Sequence, residues 1–566
     1  MVKDRRRRRY LQLLAAGTGT ALAGCSSLSL PGVTDEDGVD DWQYEPGETH
    51  DDGGILSNLG GLGAQSAQSS ASGGSVGLAA GGAKDIATFR NNLEEGHLPQ
   101  PESLSYEGLF YNYYFETGQE ADCSSLFCPS YSPSVTADPL SGETERYLTV
   151  GLNSGLDASS FDRNPLNLVV VLDVSGSMSS PFSEYYYDRF GNEQTPAGDT
   201  ETAKIEVARQ ALVALTEQLR PDDRLGIVLY SSESAVAKPM RSVAETDMDA
   251  IRGHIQEDIE AGGGTNLDAG LADATDLLSE YRDAPASREN RTIVLTDAMP
   301  NLGTTDDDGL QGKLSENAAD GLHTTFVGIG VDFNTELVDA ITAIRGANYY
   351  SVHSTDEFRK RLDDGFEYMV SPLVFDLSLE LNADGYDIEQ VYGSSAAEES
   401  TAELLQVNTL FASPTDDGRT RGGVVLAQVE RQSDDASLEL RANWEDREGN
   451  RQETTTTISF PAKSPAYFDN TGVRKAVLLS RYADLLKNWM VRERDEDVAP
   501  SEEGVAVPPE DLGEWEQQSQ ELTVGPETAE RIREFRAHYE READAIGDDA
   551  LDRETETLDR ILAAAE

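Results

Sequence analysis

The chain is poor in lysine. Nine of its 45 basic residues are lysine and the rest are arginine, against 104 aspartates and glutamates. The resulting net charge of -59 repels phosphate backbones and anionic headgroups, so nucleic acid is excluded as a partner and charge alone does not bring the chain to a membrane. Cysteine is scarcer still, with Cys25, Cys123 and Cys128 only, and two cysteines beyond Cys25 do not complete a metal site. The six histidines, His50, His97, His254, His323, His353 and His538, are scattered, and none flanks an apparent nucleophile. There is no H-E-x-x-H zinc motif and no Walker phosphate loop; Gly262, Gly263 and Gly264 lack the lysine such a loop needs. The only G-x-S-x-G match, Gly73 to Gly77, sits in a Gly/Ser/Ala stretch without the strand-turn-helix setting of a nucleophile elbow.

What remains is a folding chain. Hydrophobic residues make up 38% of 566, which argues against disorder despite the acidity, and the length suggests roughly four domains. Residues 1–25 read as an address. Arg5 to Arg9 precede a mostly apolar stretch too short to span a bilayer, and Leu22-Ala23-Gly24-Cys25 resembles a lipobox, with Cys25 the expected lipidation site. Arg7-Arg8-Arg9-Tyr10-Leu11 fits the twin-arginine export pattern. An ordinary signal peptide with an incidental Cys25 is the alternative. Export fits Cys123 and Cys128 closing a short disulfide loop, with free thiols as the other reading. Abundant Asp and Glu with little Lys resembles the proteins of extreme halophiles.

Composition and periodicity divide the rest. Residues 26–83 read as a flexible Gly/Ser and acidic tether. Residues 84–160 form an N-terminal domain with a helix from Ile86 stopped at Gly96, then an aromatic segment from Tyr106 to Phe115 that reads as packing. Residues 161–370 alternate strand and helix, which predicts an α/β fold with a doubly wound, Rossmann-like parallel sheet. Helices are expected near Thr335 to Ile344 and Thr355 to Phe366. Residues 371–465 alternate with period two, as in an antiparallel, sandwich-like β domain. Residues 466–566 are helical, interrupted by an acidic linker at 495–525.

The chemistry gathers in the α/β region. Its first strand ends in Asp173-Val-Ser175-Gly-Ser177, and alternate residues of an extended segment project to one side, so three oxygens face one way at the carboxyl end of a strand. Thr265 precedes the helix from Leu267, and the strand over 292–296 ends at Asp297. Ligands of open α/β sheets bind at that edge. Two carboxylates and three hydroxyls suit a hard cation, Mg²⁺ or alternatively Mn²⁺ or Ca²⁺. A phosphatase that uses an aspartate after the first strand needs a second carboxylate two residues on, where this chain has Ser175.

Asp173-x-Ser175-x-Ser177, Thr265 and Asp297 resemble the metal-ion-dependent adhesion site of von Willebrand factor A domains. The resemblance implies direct coordination by Ser175 and Ser177, with Thr265 and the two aspartates binding directly or through water. Ala298 departs from it, since the family usually has glycine there. Residues Ala87 to Leu104 and Gly108 to Tyr113 are similar to a domain flanking the A domain in exported lipoproteins, and Val473 to Leu486 to a C-terminal domain of the same group. Between them these matches cover most of residues 85 to 492. They imply a non-enzymatic lipoprotein at the cell surface, anchored to the outer face of the cytoplasmic membrane by lipid only. Through the metal it would bind a protein ligand offering an Asp or Glu carboxylate. A scaffold with a purely structural metal is the alternative, and a metal-dependent hydrolase a distant third. Tyr185, Tyr186 and Tyr187, in an insertion after Met178, are either the rim that reads the partner or part of a mobile polar loop.

Overall fold

The apolar run at Leu168 to Leu172 forms the strand Leu166–Asp173, and the reason is visible in what covers it. Leu166, Leu168, Val170 and Leu172 join a core with Ile205, Ala208, Leu212 and Leu215 of the helix Lys204–Glu217. Val169 and Val171 join a second core with Leu267, Leu271 and Ala274 of the helix Leu267–Ser279. A strand buried on both faces has no polar side, so its sequence is apolar without alternation. Each fully buried leucine here contributes about 2 kcal/mol. These assignments come from a computed structural model that describes residues 38–46, 49, 75–118, 125–158, 161–181, 202–282, 287–297, 307–330, 342–352, 365–384, 386–394, 404–433, 437–458, 460, 466–495 and 521–565. The helices expected over 335–344 and 355–366 fall largely outside the described residues.

Seven strands lie in the order Gly82–Ala83, Asn348–Val352, Leu322–Ile329, Glu289–Thr296, Leu166–Asp173, Arg224–Tyr230 and Ser234–Ser242. Every pairing is parallel except the last. This is the expected doubly wound sheet, and its winding reverses around Leu166–Asp173. The carboxyl ends of that strand and of Glu289–Thr296 therefore open a crevice.

The second sheet is antiparallel, with ten strands among the described residues. It draws on both flanking regions. Thr144–Asp157 pairs with Cys128–Ala137 on one side and Val424–Arg431 on the other, so the domains expected separately at 84–160 and 371–465 share one sheet. A hairpin turns at Asp446 to Asn450, with the Asp446 N–H donating to the Asn450 carbonyl at 3.1 Å. The helix Thr471–Asp495 buries Val473, Val477, Tyr482 and Leu486 against Tyr147, Val424 and Leu426 of this sheet. The helices Pro526–Ile546 and Asp552–Ala563 complete that core, and Glu554 of the latter forms a buried ion pair with Arg90 of the helix Ala87–Glu95. No helix among the described residues is long and apolar enough to cross a membrane.

The tether expected over 26–83 is corrected over residues 38–46 and 75–83. Ser75–Ala80 is a strand between Thr144–Asp157 and Leu404–Ser413, with Val76 and Leu78 in the core. Its Gly/Ser/Ala composition suggests flexibility, yet small residues are what this position needs. A Cβ on Gly77 would meet Thr420 Cγ2 at 2.1 Å. After Gly81 the same chain enters the other sheet as Gly82–Ala83, a crossing made at a φ of +98° on Gly82, where a side chain is strained. Residues 38–46 lie along the Ser234–Ser242 edge. The Val39 N–H donates to the Glu245 carbonyl, the Gln43 N–H donates to the Ala237 carbonyl, and Trp42 stacks on His254 at 5.4 Å. The segment thus covers an edge strand that would otherwise offer unpaired backbone groups.

A buried charge cluster joins the two sheets. Glu289 accepts from Arg291 and pairs with His323, both at 2.8 Å, and accepts at 2.9 Å from Arg447, whose other nitrogen reaches the Pro372 carbonyl at 2.9 Å. Burial raises the Glu289 pKa, but His323, Arg291 and Arg447 outweigh it and hold the carboxyl at about 2. A carboxylate with a depressed folded pKa adds stability above its unfolded value, and loses it as pH falls toward 2. Glu289→Gln should therefore cost about 3 kcal/mol near neutral pH and flatten the acid limb of the stability curve below about pH 4.5, both read from urea melts across pH.

Candidate metal centre

The site is assembled from three loops that the sequence folds against one another. The backbone N–H of Gly176 donates to the Gly263 carbonyl at 3.0 Å, and that of Gly262 to the Val174 carbonyl at 2.8 Å. Gly263 holds a φ of +80°, and a Cβ there would stand 2.9 Å from Ser231 Oγ and 3.0 Å from Ser232 Oγ. Only glycine fits both demands. The Ser232 hydroxyl in turn accepts from the Gly264 N–H at 2.8 Å. Asn266 caps the helix Leu267–Ser279 by accepting from Ala269 N. Thr265 is thereby fixed between a braced turn and a capped helix.

The five expected residues are brought to one edge and are buried: Asp173, Ser175 and Asp297 at 0% exposure, Thr265 at 3% and Ser177 at 9%. Asp173 Oδ1 accepts from the Ser175 N–H at 2.8 Å. Its Oδ2 accepts from the Tyr230 hydroxyl at 3.0 Å and the Thr296 hydroxyl at 2.7 Å. The hydroxyl oxygens of Ser175 and Ser177 lie 3.0 Å apart. Asp297 Oδ2 accepts from Lys204 Nζ at 3.3 Å, while its Oδ1 is buried with no hydrogen-bond partner. Burial, with the Asp297 charge added, pushes the Asp173 carboxyl up to about 7. Two carboxylates kept dry at such close quarters call for positive charge.

These residues fit a hard divalent cation. Among the described residues no three His, Cys, Asp or Glu side chains gather as a metal-binding group, and the set here is instead two carboxylates with hydroxyls, the oxygen chemistry Mg²⁺ prefers. The unpartnered Asp297 oxygen is the observation that favours an ion at this place, because a buried carboxylate oxygen left bare is costly.

Sequence reasoning missed Lys204, Tyr230, Thr296 and the Ser231-Ser232 pair. Tyr230 and Thr296 carry no local signal, since only the pairing of their strands brings them to Asp173. Lys204 had one: it is among nine lysines in the chain and opens a helix directly after the insertion. Cys25, Cys123 and Tyr185 to Tyr187 lie outside the described residues. Cys128 is disulfide-bonded. The described flanks of the tyrosine-bearing insertion meet beside the site, where Pro181 bridges Ala203 and the Lys204 N–H donates to the Ser180 carbonyl at 3.0 Å.

Residues 168–299 match the von Willebrand factor type A domain, a span that holds Asp173, Ser175, Ser177, Thr265 and Asp297. Among curated proteins the chain is similar to inter-alpha-trypsin inhibitor heavy chain H4 of Homo sapiens, 25% identical over 241 residues, which are 42% of this chain and 22% of that protein. It is similar to the uncharacterized protein YfbK of Escherichia coli, 24% identical over 305 residues, 52% of this chain and 47% of that one. Each match spans less than half of the relative's length. Among solved structures, a von Willebrand factor type A protein from Catenulispora acidiphila aligns with a TM-score of 0.41 and 14% identity, over 66% of this chain and 82% of that one. The ArnB paralog VWA2 from Sulfolobus acidocaldarius aligns at 0.37 and 13%, over 77% and 97%. The family match over residues 168–299 shows that the chain contains a von Willebrand factor type A domain.

Asp173→Asn tests the electrostatic reading of the site. The hydroxyls of Tyr230 and Thr296 accept as well as donate, so the amide keeps its contacts while one buried charge disappears. Without divalent ions at pH 7.5 the variant should be more stable than the parent by roughly 1–2 kcal/mol, measured by denaturant melts. A variant less stable than the parent would show that the two carboxylates are already neutralised.

Proposed function

We propose that the protein is an exported, lipid-anchored surface protein whose A-type domain holds a divalent cation, Mg²⁺ first, and through it binds a protein partner bearing an exposed Asp or Glu. The buried, unpartnered Oδ1 of Asp297 beside a cationic Lys204 is the observation that supports this most. When bound, the cation supplies an electrophilic position for an outside carboxylate. The chain's own residues do the rest. Ser175 and Ser177 point neutral oxygens together. The Ser175 N–H and the hydroxyls of Tyr230 and Thr296 hold Asp173 in one orientation, and Lys204 holds Asp297. Neutral hydroxyls leave the ion's charge unspent, unlike a cage of carboxylates. The reading is a binding module and not an enzyme: Ser175 stands where a phosphatase needs its acid, and among the described residues no histidine is paired with a nucleophile at this edge. Lipidation at Cys25, twin-arginine export and a salt-adapted surface belong to the same proposal and rest on the sequence.

Thermal melts of the full chain with chelator and with millimolar Mg²⁺ test it. Binding at about 100 times Kd should add about 2.7 kcal/mol, and Asp173→Ala and Ser177→Ala should abolish the gain. Equal melting with and without Mg²⁺ would sink the metal reading. Hydrolysis of a model phosphate ester by the pure protein, lost in Asp173→Ala, would replace the binding module with an enzyme.

A further inference from the structure

Lys84 follows directly on Gly82–Ala83, where the chain has just left one sheet for the other, and it is 2% exposed. Its ammonium lies 4.3 Å from the centre of the Phe411 ring and 5.0 Å from that of Tyr111. Among the described residues that ammonium has no hydrogen-bond acceptor and no ion pair. Lys238 and Lys475 differ, because each sits on an aspartate that opposes the lowering of its pKa by burial. At Lys84 burial is joined by two further cations, Arg291 and Arg421, and all three push the ammonium well below its ordinary value.

Cations and rings alternate here. Arg421 lies 4.6 Å from the Tyr111 ring and Arg291 5.6 Å from the Phe411 ring, so each shares a ring with Lys84. They come from separate elements: Tyr111 ends the helix Tyr106–Tyr111, Phe411 belongs to Leu404–Ser413, Arg291 to Glu289–Thr296 and Arg421 to Arg419–Arg421. Glu289 answers Arg291 at 2.8 Å. Arg421 gives its Nε to the Tyr111 carbonyl at 2.7 Å, and no carboxylate among the described residues pairs with it. Ring faces offset only part of the cost of burying an ammonium, and a second cation on the same ring adds repulsion. An anion beside the two cations would offset the rest. The surroundings are tight: a Cβ on Gly422 would stand 3.0 Å from Tyr111 Cδ2, and one on Gly81 3.1 Å from Phe411 Cε2. A single-atom anion needs less room and fewer donors than an oxyanion with several oxygens to satisfy. We infer that Lys84 and Arg421 form a binding site for a halide ion at the joint between the two sheets. The site is separate from the metal centre and does not rest on it.

The full chain is melted in sodium bromide and in sodium fluoride at equal concentration, with chelator present so that the divalent site plays no part. Crystals grown in bromide are measured at the bromine absorption edge. Bromide should raise the melting temperature of the parent by about 2–4 °C over fluoride and then level off as the site fills. That runs against the general order, in which strongly hydrated anions stabilise more. Lys84→Met should lose the saturable gain, and Arg421→Gln should need about tenfold more bromide to reach it. The crystals should show bromide within hydrogen-bond distance of Lys84 Nζ. Equal melting of the parent in the two salts, or a gain that Lys84→Met keeps, overturns the site. A bromide peak at Lys84 without a saturable gain is an adventitious ion only and overturns it as well. If Lys84→Met does not fold, the crystals of the parent decide: a saturable gain with bromide elsewhere, or with none, sinks the proposal and leaves the metal centre untouched.

Discussion

Two carboxylates held without solvent at the point where the parallel sheet reverses its winding set the demands that the surrounding structure meets. Asp173 and Asp297 lie at the ends of adjacent strands because those strands pair in parallel register, Leu172 opposite Leu295. Neither aspartate can turn toward water. Each must find donors, and the donors come from every neighbouring element: Tyr230 from the next strand, Thr296 from the strand that carries Asp297, the Ser175 N–H from the loop, and Lys204 from the first helix. The three loops are tied together by backbone hydrogen bonds because a site of this charge density cannot tolerate play.

Lysine carries a related argument. It is rare in this chain, yet Lys84, Lys204, Lys238 and Lys475 are each at most 3% exposed. Three of them pair with a carboxylate from a distant segment: Lys204 with Asp297, Lys238 with Asp41 of the N-terminal strap, Lys475 with Asp548 before the last helix. Burial lowers the pKa of Lys238 and Lys475, with the partner aspartates opposing the shift. On a strongly acidic surface a lysine has little to do that arginine does not do better. Inside, a compact ammonium fits where a guanidinium does not. The scarcity that first characterises the sequence is therefore a scarcity at the surface, and the residues that remain mark joints.

How much of this is legible beforehand depends on which residues carry local signals. The strand at Leu168 to Leu172 is readable because burial on both faces removes alternation, and Asp173, Ser175 and Ser177 are readable because they share one short segment. Thr265 and Asp297 needed only the expectation that successive strands end at one edge. The strand Ser75–Ala80 was hidden because its glycine answers to Thr420, more than 340 residues away, and not to a local preference. Tyr230 and Thr296 were hidden for the same reason, since strand pairing alone gives them a role. The division into an N-terminal and a β domain failed where Thr144–Asp157 pairs with Val424–Arg431, a contact no local period announces.

The strap along the sheet edge also has a direction. Val39 bridges Thr246, which comes after the strand end Ser242, opposite Arg224. Arg224 begins the strand whose far end is Tyr230, the donor to Asp173. Ten residues later the Thr49 carbonyl accepts from the Ser231 hydroxyl, beside the loops that carry Ser177 and Thr265. The described chain therefore enters at Gly38 at one end of the parallel sheet and climbs its edge to the other. Asp41, Trp42 and Gln43 dock the strap along that climb, through ion pairs of Asp41 with Lys238 and Arg241, stacking of Trp42 on His254 and the Gln43 N–H donating to the Ala237 carbonyl, so an edge that could pair with another chain is occupied by the protein's own.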